Sequence, residues 1–316
     1  MAIFLQESDI NALASMDMAI EAVERAFRLQ GEEKAHIAPR RRCRLEKGMF
    51  HVMGASLPSL GFSGLKSYTS VAGVNRFVVL LYDGEGRLAA VMDADRLGQL
   101  RTGAASAVAT RFMAREDASR LGVFGAGAQA RAQIEAIRAV RPIEKVTVYA
   151  RTADKLKAFC REMAEATGIK IVPAAGPEAA VRDQDIVATA TTSSEPVFQG
   201  EWLAAGVHIN AVGSNCLSRR EIDVETVRRS ACVIVDSLEQ ARLESGDLER
   251  AAEEEAFYWE DARELGLVVV GEFPGREDAG EITLFESQGV ALEDVALAAE
   301  IYRRALEAGT GAKLPF

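Results

Sequence analysis

Two sets of residues in this chain have types and spacing that could do chemistry. The first lies in LGVFGAGAQARAQIEAI, residues 121–137, where Gly125, Gly127 and Ala130 make a G-x-G-x-x-A pattern. After a strand and at a helix start, that pattern binds a dinucleotide. The first glycine makes the tight turn, the second lets a pyrophosphate approach the backbone, and the small third residue lets helix and strand pack closely. The second set is cationic: PRRRCR at 39–44, Lys66 in GLKSYTS, and Arg101 in LGQLRTGAAS. A cation among small and apolar residues is costly to desolvate unless it meets an anion, either a protein carboxylate or a bound one. Beside a dinucleotide, such cations suit a small carboxylate-bearing substrate. Arginine grips a carboxylate with two hydrogen bonds, and lysine can carry the proton that accompanies hydride transfer.

Cofactor choice should show at the end of the next strand. An acidic residue roughly 20 positions beyond the glycines would bond the ribose of NAD. The sequence there is VYARTADK, with Arg151, Thr152 and then Lys155. A guanidinium suits a 2′-phosphate, so NADP(H) is expected over NAD(H).

The elements that must position these groups fall into two patterns. Residues 1–117 read as α+β: two helices reaching about Gln30, the first capped by Ser8, then strands such as GLKSYTS, RFVVLLYD and RLAAVMDA, then an Ala-rich helix over 94–115. From about 118, short apolar strands (RLGVFG, KVTVYA, DIVATAT, GVHINAV, ACVIVD) alternate with helices, the signature of a parallel sheet covered on both faces. An amphipathic helix closes the chain from about 291, with no strand expected after it, and is expected to return to the first domain. The fold class expected is therefore α/β: a Rossmann-type NAD(P)-binding domain over 118–289, plus an α+β domain over 1–117 and 290–316.

Composition bounds the rest. A net charge of −10 disfavours a nucleic-acid or anionic-membrane partner. No stretch approaches a bilayer span and the start has no basic, apolar leader, so the expected location is cytoplasmic. The four cysteines, Cys43, Cys160, Cys216 and Cys232, form no C-x-x-C pair and are expected as small buried residues. His36, His51 and His208 have no ligand spacing, so no metal site is expected.

The chain resembles the ornithine cyclodeaminase and mu-crystallin family over nearly its whole length. The matching pieces are PRR at 39–41, GLK at 64–66, LRTGAASAVA at 100–109, GAGAQA at 125–130, HINAVGSN at 208–215, ESGDL at 244–248 and EITLFESQGVALEDVA at 281–296. The resemblance implies that the α+β domain over 1–117 and 290–316 is a substrate-binding and dimerisation domain, and that the protein is a homodimer. It implies that Arg41, Lys66 and Arg101 hold the substrate carboxylate and serve catalysis, with a one-residue slip to Arg40 or Arg42 left open. It implies that Ala128 and Gln129 touch the pyrophosphate, and that Thr191, the turn Asn210, Ala211, Val212, Gly213, and Ser287 make further cofactor contacts.

Against the family's cyclodeaminases, which convert ornithine to proline and ammonia with bound NAD, the chain departs at three places. Asn215 stands where their chemically active aspartate is, and an amide neither ionises nor takes up a proton near neutral pH. His51 stands where they have a glutamate, with Gly54 for proline. Arg151 replaces the acidic ribose partner. Lys66, His51 and Asn215 are thus the candidate catalytic residues, Lys66 as proton donor or water orienter. His51 reads either as an acid/base titrating near working pH or as a strand histidine with a satisfied hydrogen bond. The activity expected is NAD(P)H-dependent reduction of 2-imino acids, such as Δ1-pyrroline-2-carboxylate or Δ1-piperideine-2-carboxylate, or a related amino-acid dehydrogenation at CH–NH or CH–NH2. An ornithine or lysine cyclodeaminase, and a binding protein without turnover, are the alternatives.

Overall fold

The computed structural model describes residues 1–315. The chain divides into two units, residues 1–105 with those from 290 onward, and residues 106–289. The boundary expected at residue 117 lies instead inside helix α3 (Asp95–Met113). The reason is visible at the two ends of that helix. Arg101, in its first half, pairs with Glu293 of the first unit. The carbonyls of Thr110, Arg111 and Ala114, at and just beyond its end, all accept from Arg141 Nη2 of the second.

In the first unit, β2 (His36–Leu45), β3 (Gly48–Leu57), β4 (Phe62–Val71), β5 (Val74–Asp83) and β6 (Leu88–Asp93) form an antiparallel meander. β1 (Ile3–Leu5) runs parallel to β6, and β15 (Ala312–Lys313) closes the edge, a short strand where none was expected. The sheet order is β15-β1-β6-β5-β4-β3-β2. Helices α1 (Glu7–Leu13), α2 (Met16–Gly31) and α10 (Ala291–Ala308) belong to the same unit. Ser8 lies inside α1 rather than capping it; Gln6 is the N-cap. It is Ser15 that caps α2, its hydroxyl accepting from Met18 N at 3.3 Å, and this sets the start of the helix that buries Ile20, Val23 and Phe27. α10 packs on α2, β3 and β4.

The second unit is an eight-stranded sheet, parallel throughout. Its strands are β7 (Arg120–Phe124), β8 (Lys145–Tyr149), β9 (Lys170–Pro173), β10 (Ile186–Thr189), β11 (His208–Ala211), β12 (Ser230–Val235), β13 (Arg263–Glu264) and β14 (Ile282–Glu286). Their order is β13-β12-β14-β11-β10-β7-β8-β9, so the winding reverses between β7 and β10. In open parallel sheets ligands bind beyond the carboxyl ends at that point. One core face gathers Leu121, Val123 and Val148 against α4 (Ala128–Val140) and α5 (Ala153–Thr167). The other gathers Phe124, Ile209, Val235 and Leu284 with residues of α6 (Val224–Arg229), α7 (Leu238–Glu244) and α8 (Gly246–Glu253). Burial on both faces is why these strands read as apolar runs rather than alternations. A short α9 (Leu265–Val269) follows β13.

Of the cysteines only Cys160 is buried; Cys43 is exposed, and Cys216 and Cys232 are half-buried, so the expectation of four core residues holds for one. Among the described residues no helix is long and apolar enough to cross a membrane.

Candidate active site

The candidate residues fall into two sets, one in each unit. In the first, strand alternation places Lys66 on the same face of the sheet as its cross-strand neighbours Met53 and Val79, and all three are buried. The first turn of α10 brings two carboxylates to that face. Lys66 Nζ donates to Asp294 Oδ1 at 2.9 Å, with side-chain exposures of 3% and 0%. Arg101 Nη1 donates to Glu293 Oε2 at 2.8 Å, and its Nε lies 3.3 Å from Asp294 Oδ1. Asp294 is thus shared between the two cations. A Cβ at Gly98 would stand 3.1 Å from Lys66 Nζ, so the small residue one turn before Arg101 makes room for the ammonium. The ammonium also sits 5.1 Å above the centre of the Phe77 ring. Burial pushes Lys66 down to about 8, with Asp294 opposing the shift and Arg101 and Arg40 adding to it. Both buried cations therefore meet protein carboxylates. Glu293 and Asp294 escaped the sequence reading; two adjacent acids in a helix otherwise apolar on that side were the signal.

The arginine row is sorted by a β-bulge. Register slips between Ala38 and Arg41, so Arg42 rather than Arg41 faces His51, and Arg41 pairs with Val52. One extra residue moves a side chain to the opposite face. Arg41 is exposed, whereas Arg40 is buried and close enough to depress both Lys66 and His51. Of this row it is therefore Arg40, the one-residue slip left open above, and not Arg41 that is buried near Lys66 and His51.

His51 is also corrected. Its ring stacks on Tyr68 at 4.1 Å and 2°, and Tyr68 leans on Phe77 at 5.1 Å. Burial, then Arg42 and Arg40, push the imidazole down to about 4, so it is neutral near pH 7 and has no proton to give there. Neither ring nitrogen has a hydrogen-bond partner among the described residues. His51, Tyr68 and Phe77 together form a run of packed aromatic rings.

In the second unit β7 runs into the glycine loop. Gly125 has φ +112°, and a Cβ there would stand 2.5 Å from the Ala190 carbonyl oxygen. Gly127 is the N-cap of α4 with no side-chain cap, and a Cβ there would meet nothing within 4 Å. An uncapped helix N-terminus beside open space is what a pyrophosphate needs. Ala128 and Gln129 form the first turn, and the Gln129 Oε1 is buried with no hydrogen-bond partner among the described residues. A cavity of about 250 Å³ lies alongside, lined by Gly125, Tyr149, Arg151, Thr191 and Ser193 among others. Arg151 and Thr152 are exposed at the end of β8, with no carboxylate among the cavity residues. These features fit a dinucleotide.

The remaining candidates sit at the ends of β10, β11 and β14. Asn210 is buried in β11 and its Nδ2 donates to Thr110 Oγ1 at 3.1 Å. Ala211 ends the strand, Val212 N donates to the Thr189 carbonyl at 3.0 Å, and Ser287 Oγ donates to Asp236 Oδ2 at 2.9 Å. The side chains of Asn210 and Ser287 thus each bond another protein side chain. Thr191 and Gly213 flank Glu221, a buried acid that sequence reasoning missed. Asn215 is half-buried in the following loop.

A parallel doubly wound sheet with a glycine loop at the first strand–helix turn defines a Rossmann-type α/β protein, here with an α+β unit bearing a buried cation cluster. The chain belongs to the ornithine cyclodeaminase/mu-crystallin family, whose model matches residues 1–309. It is 41% identical over 244 residues to a Δ1-pyrroline-2-carboxylate reductase of Bacillus cereus, covering 77% of this chain and 75% of that one. Among solved structures it is similar to the Thermococcus litoralis Δ1-pyrroline-2-carboxylate reductase in complex with NADH and L-proline, at TM-score 0.94 and 37% identity, covering 99% and 100% of the two chains. It is equally similar to an archaeal alanine dehydrogenase dimer with bound NAD, at TM-score 0.94 and 36% identity, covering 100% and 99%.

Proposed function

We propose that the chain is an NAD(P)H-dependent reductase of 2-imino acids, cyclic ketimines such as Δ1-pyrroline-2-carboxylate foremost, or a related amino-acid dehydrogenase. The observation that carries this reading is the Lys66–Asp294–Arg101–Glu293 cluster beneath a neutral aromatic wall. Arg40 and Arg101 would hold the substrate carboxylate through guanidinium N–H groups. His51, Tyr68 and Phe77 offer a flat, uncharged surface to an imine ring; none of the three carries the negative charge that an ornithine δ-ammonium would need. A reduced nicotinamide supplies the hydride when bound. Lys66, poised at about 8, donates the proton that the imine nitrogen takes up, and Asp294 keeps the ammonium oriented.

Three finer readings go with this. Arg151 in the cavity lining, with no acid among the lining residues, supports a preference for NADP(H), although the two solved structures named above hold NADH and NAD. The outer face of the first unit's sheet carries half-buried Val52, Leu65, Val78 and Leu80, which supports a homodimer like that of the alanine dehydrogenase. The location proposed is cytoplasmic, supported by the absence of a spanning helix among the described residues.

The test is cofactor oxidation by NADPH and NADH with a panel of cyclic imines and of 2-oxo acids plus amines. Turnover that Lys66→Met abolishes is the expected result. Ammonia release from ornithine or lysine with no net cofactor consumption would make it a cyclodeaminase. Cofactor binding without any turnover would make it a binding protein.

A further inference from the structure

At the carboxyl edge of the parallel sheet, one buried carboxylate spans two loops. Glu221 is 0% exposed. Its Oε1 accepts the Thr191 N–H at 2.6 Å; its Oε2 accepts the Gly213 N–H at 2.6 Å and the Thr189 hydroxyl at 2.8 Å. Thr191 follows β10 and Gly213 follows β11, so each oxygen holds one loop. The loops are pressed together: a Cβ at Gly213 would stand 2.3 Å from the Thr191 carbonyl oxygen and 2.6 Å from Glu221 Cδ. Glu221 is itself fixed from behind. Its N–H and that of Ile222 donate to Asp247 Oδ1, in α8, at 2.8 and 2.9 Å.

We propose that Glu221 is a positioning residue for the dinucleotide, setting the spacing of the Thr191 and Gly213 loops that face the cofactor. The proposal rests on the cofactor reading above. Its physical content is a count of acceptors. A carboxylate offers an oxygen to each loop, whereas glutamine of the same shape offers one oxygen and one NH2 group. Whichever way that amide turns, one loop N–H faces a donor and loses its partner. The Thr189 hydroxyl touches the same carboxylate but can rotate, and it holds neither loop.

The experiment uses the full chain as wild type, Glu221→Gln and Thr189→Val. NADPH and NADH affinity is measured by calorimetry, and hydrogen exchange at the Thr191 and Gly213 amides is measured without cofactor. Glu221→Gln should weaken dinucleotide binding by about tenfold or more and speed exchange at one or both loop amides. Thr189→Val should leave affinity within about twofold, even where it lowers Tm. Equal weakening by both variants, or none by either, overturns the proposal. If Glu221→Gln does not fold, wild-type exchange decides: Thr191 and Gly213 amides as protected as those of β10 and β11 support the clamp, and loop-like exchange refutes it. Wild type that binds neither dinucleotide overturns the cofactor reading itself. Wild type that binds, with Glu221→Gln unchanged, overturns the clamp alone.

Discussion

Lys66 and Asp294 lie 228 positions apart in sequence and meet at 2.9 Å in the interior of the first unit. Each explains the other's burial: an isolated ammonium or carboxylate there would shift its pKa and neutralise. Burial, which Asp294 only partly offsets and Arg101 adds to, leaves Lys66 easier to deprotonate than an exposed lysine.

From that pairing follows a pH dependence. If Lys66 gives the proton, it must enter the reaction charged, so kcat/KM for imine reduction should fall as pH rises through about 8. Asp294→Asn removes the group that opposes the depression, and the falling limb should move to lower pH. That variant should also lose about 3–5 kcal/mol of stability, because a buried cation keeps less of its countercharge. Rate profiles and denaturant unfolding of the two proteins check both.

The β-bulge makes a sharp contrast between neighbours. Arg40→Leu should raise KM for the imino acid by about 10–100-fold, the range for losing a charge-assisted hydrogen bond to a carboxylate. Arg41→Leu, on the exposed opposite face, should leave KM within about twofold. Equal effects of the two would place the clamp elsewhere.

Arg151→Ala should lower kcat/KM for NADPH by about tenfold while leaving NADH within about twofold, since only the former carries the 2′-phosphate. Parallel initial-rate measurements with both cofactors read this directly. Introducing an acid by Ala150→Asp should push the preference further toward NADH.

Acid sensitivity has a named source. His51 and His208 are held at about 4 and about 3 in the folded chain, against 6.5 ordinarily. In that window the unfolded chain binds more protons than the folded one, so stability rises with pH. The contribution is complete above pH 6.5 and is lost as pH falls toward 4 and below. Urea unfolding at pH 7.5 and pH 4.5 should show wild type losing more stability between the two than His51→Asn does.

Several parts of this molecule were legible without coordinates because they are written in local periodicity. Short apolar runs separated by helices announced a parallel sheet buried on both faces. The spacing of Gly125, Gly127 and Ala130 announced a turn that only small residues can make, and Gly125 indeed sits at φ +112° against the Ala190 carbonyl. Lys66 and Arg101 stood out as charges among small neighbours. Their partners did not, because Glu293 and Asp294 arrive from the far end of the chain and nothing local to either segment encodes the meeting.

The amino-acid sequence by itself determined the fold class, the glycine loop and the family, all carried by residue types repeating within a few turns or strands. Tertiary structure alone decided which arginine turns inward, that His51 is neutral, which acids balance the buried cations, and that Glu221 ties two loops together. Those outcomes depend on a one-residue bulge, on desolvation, and on contacts between distant segments, and burial and long-range electrostatics come into being only when the chain closes on itself.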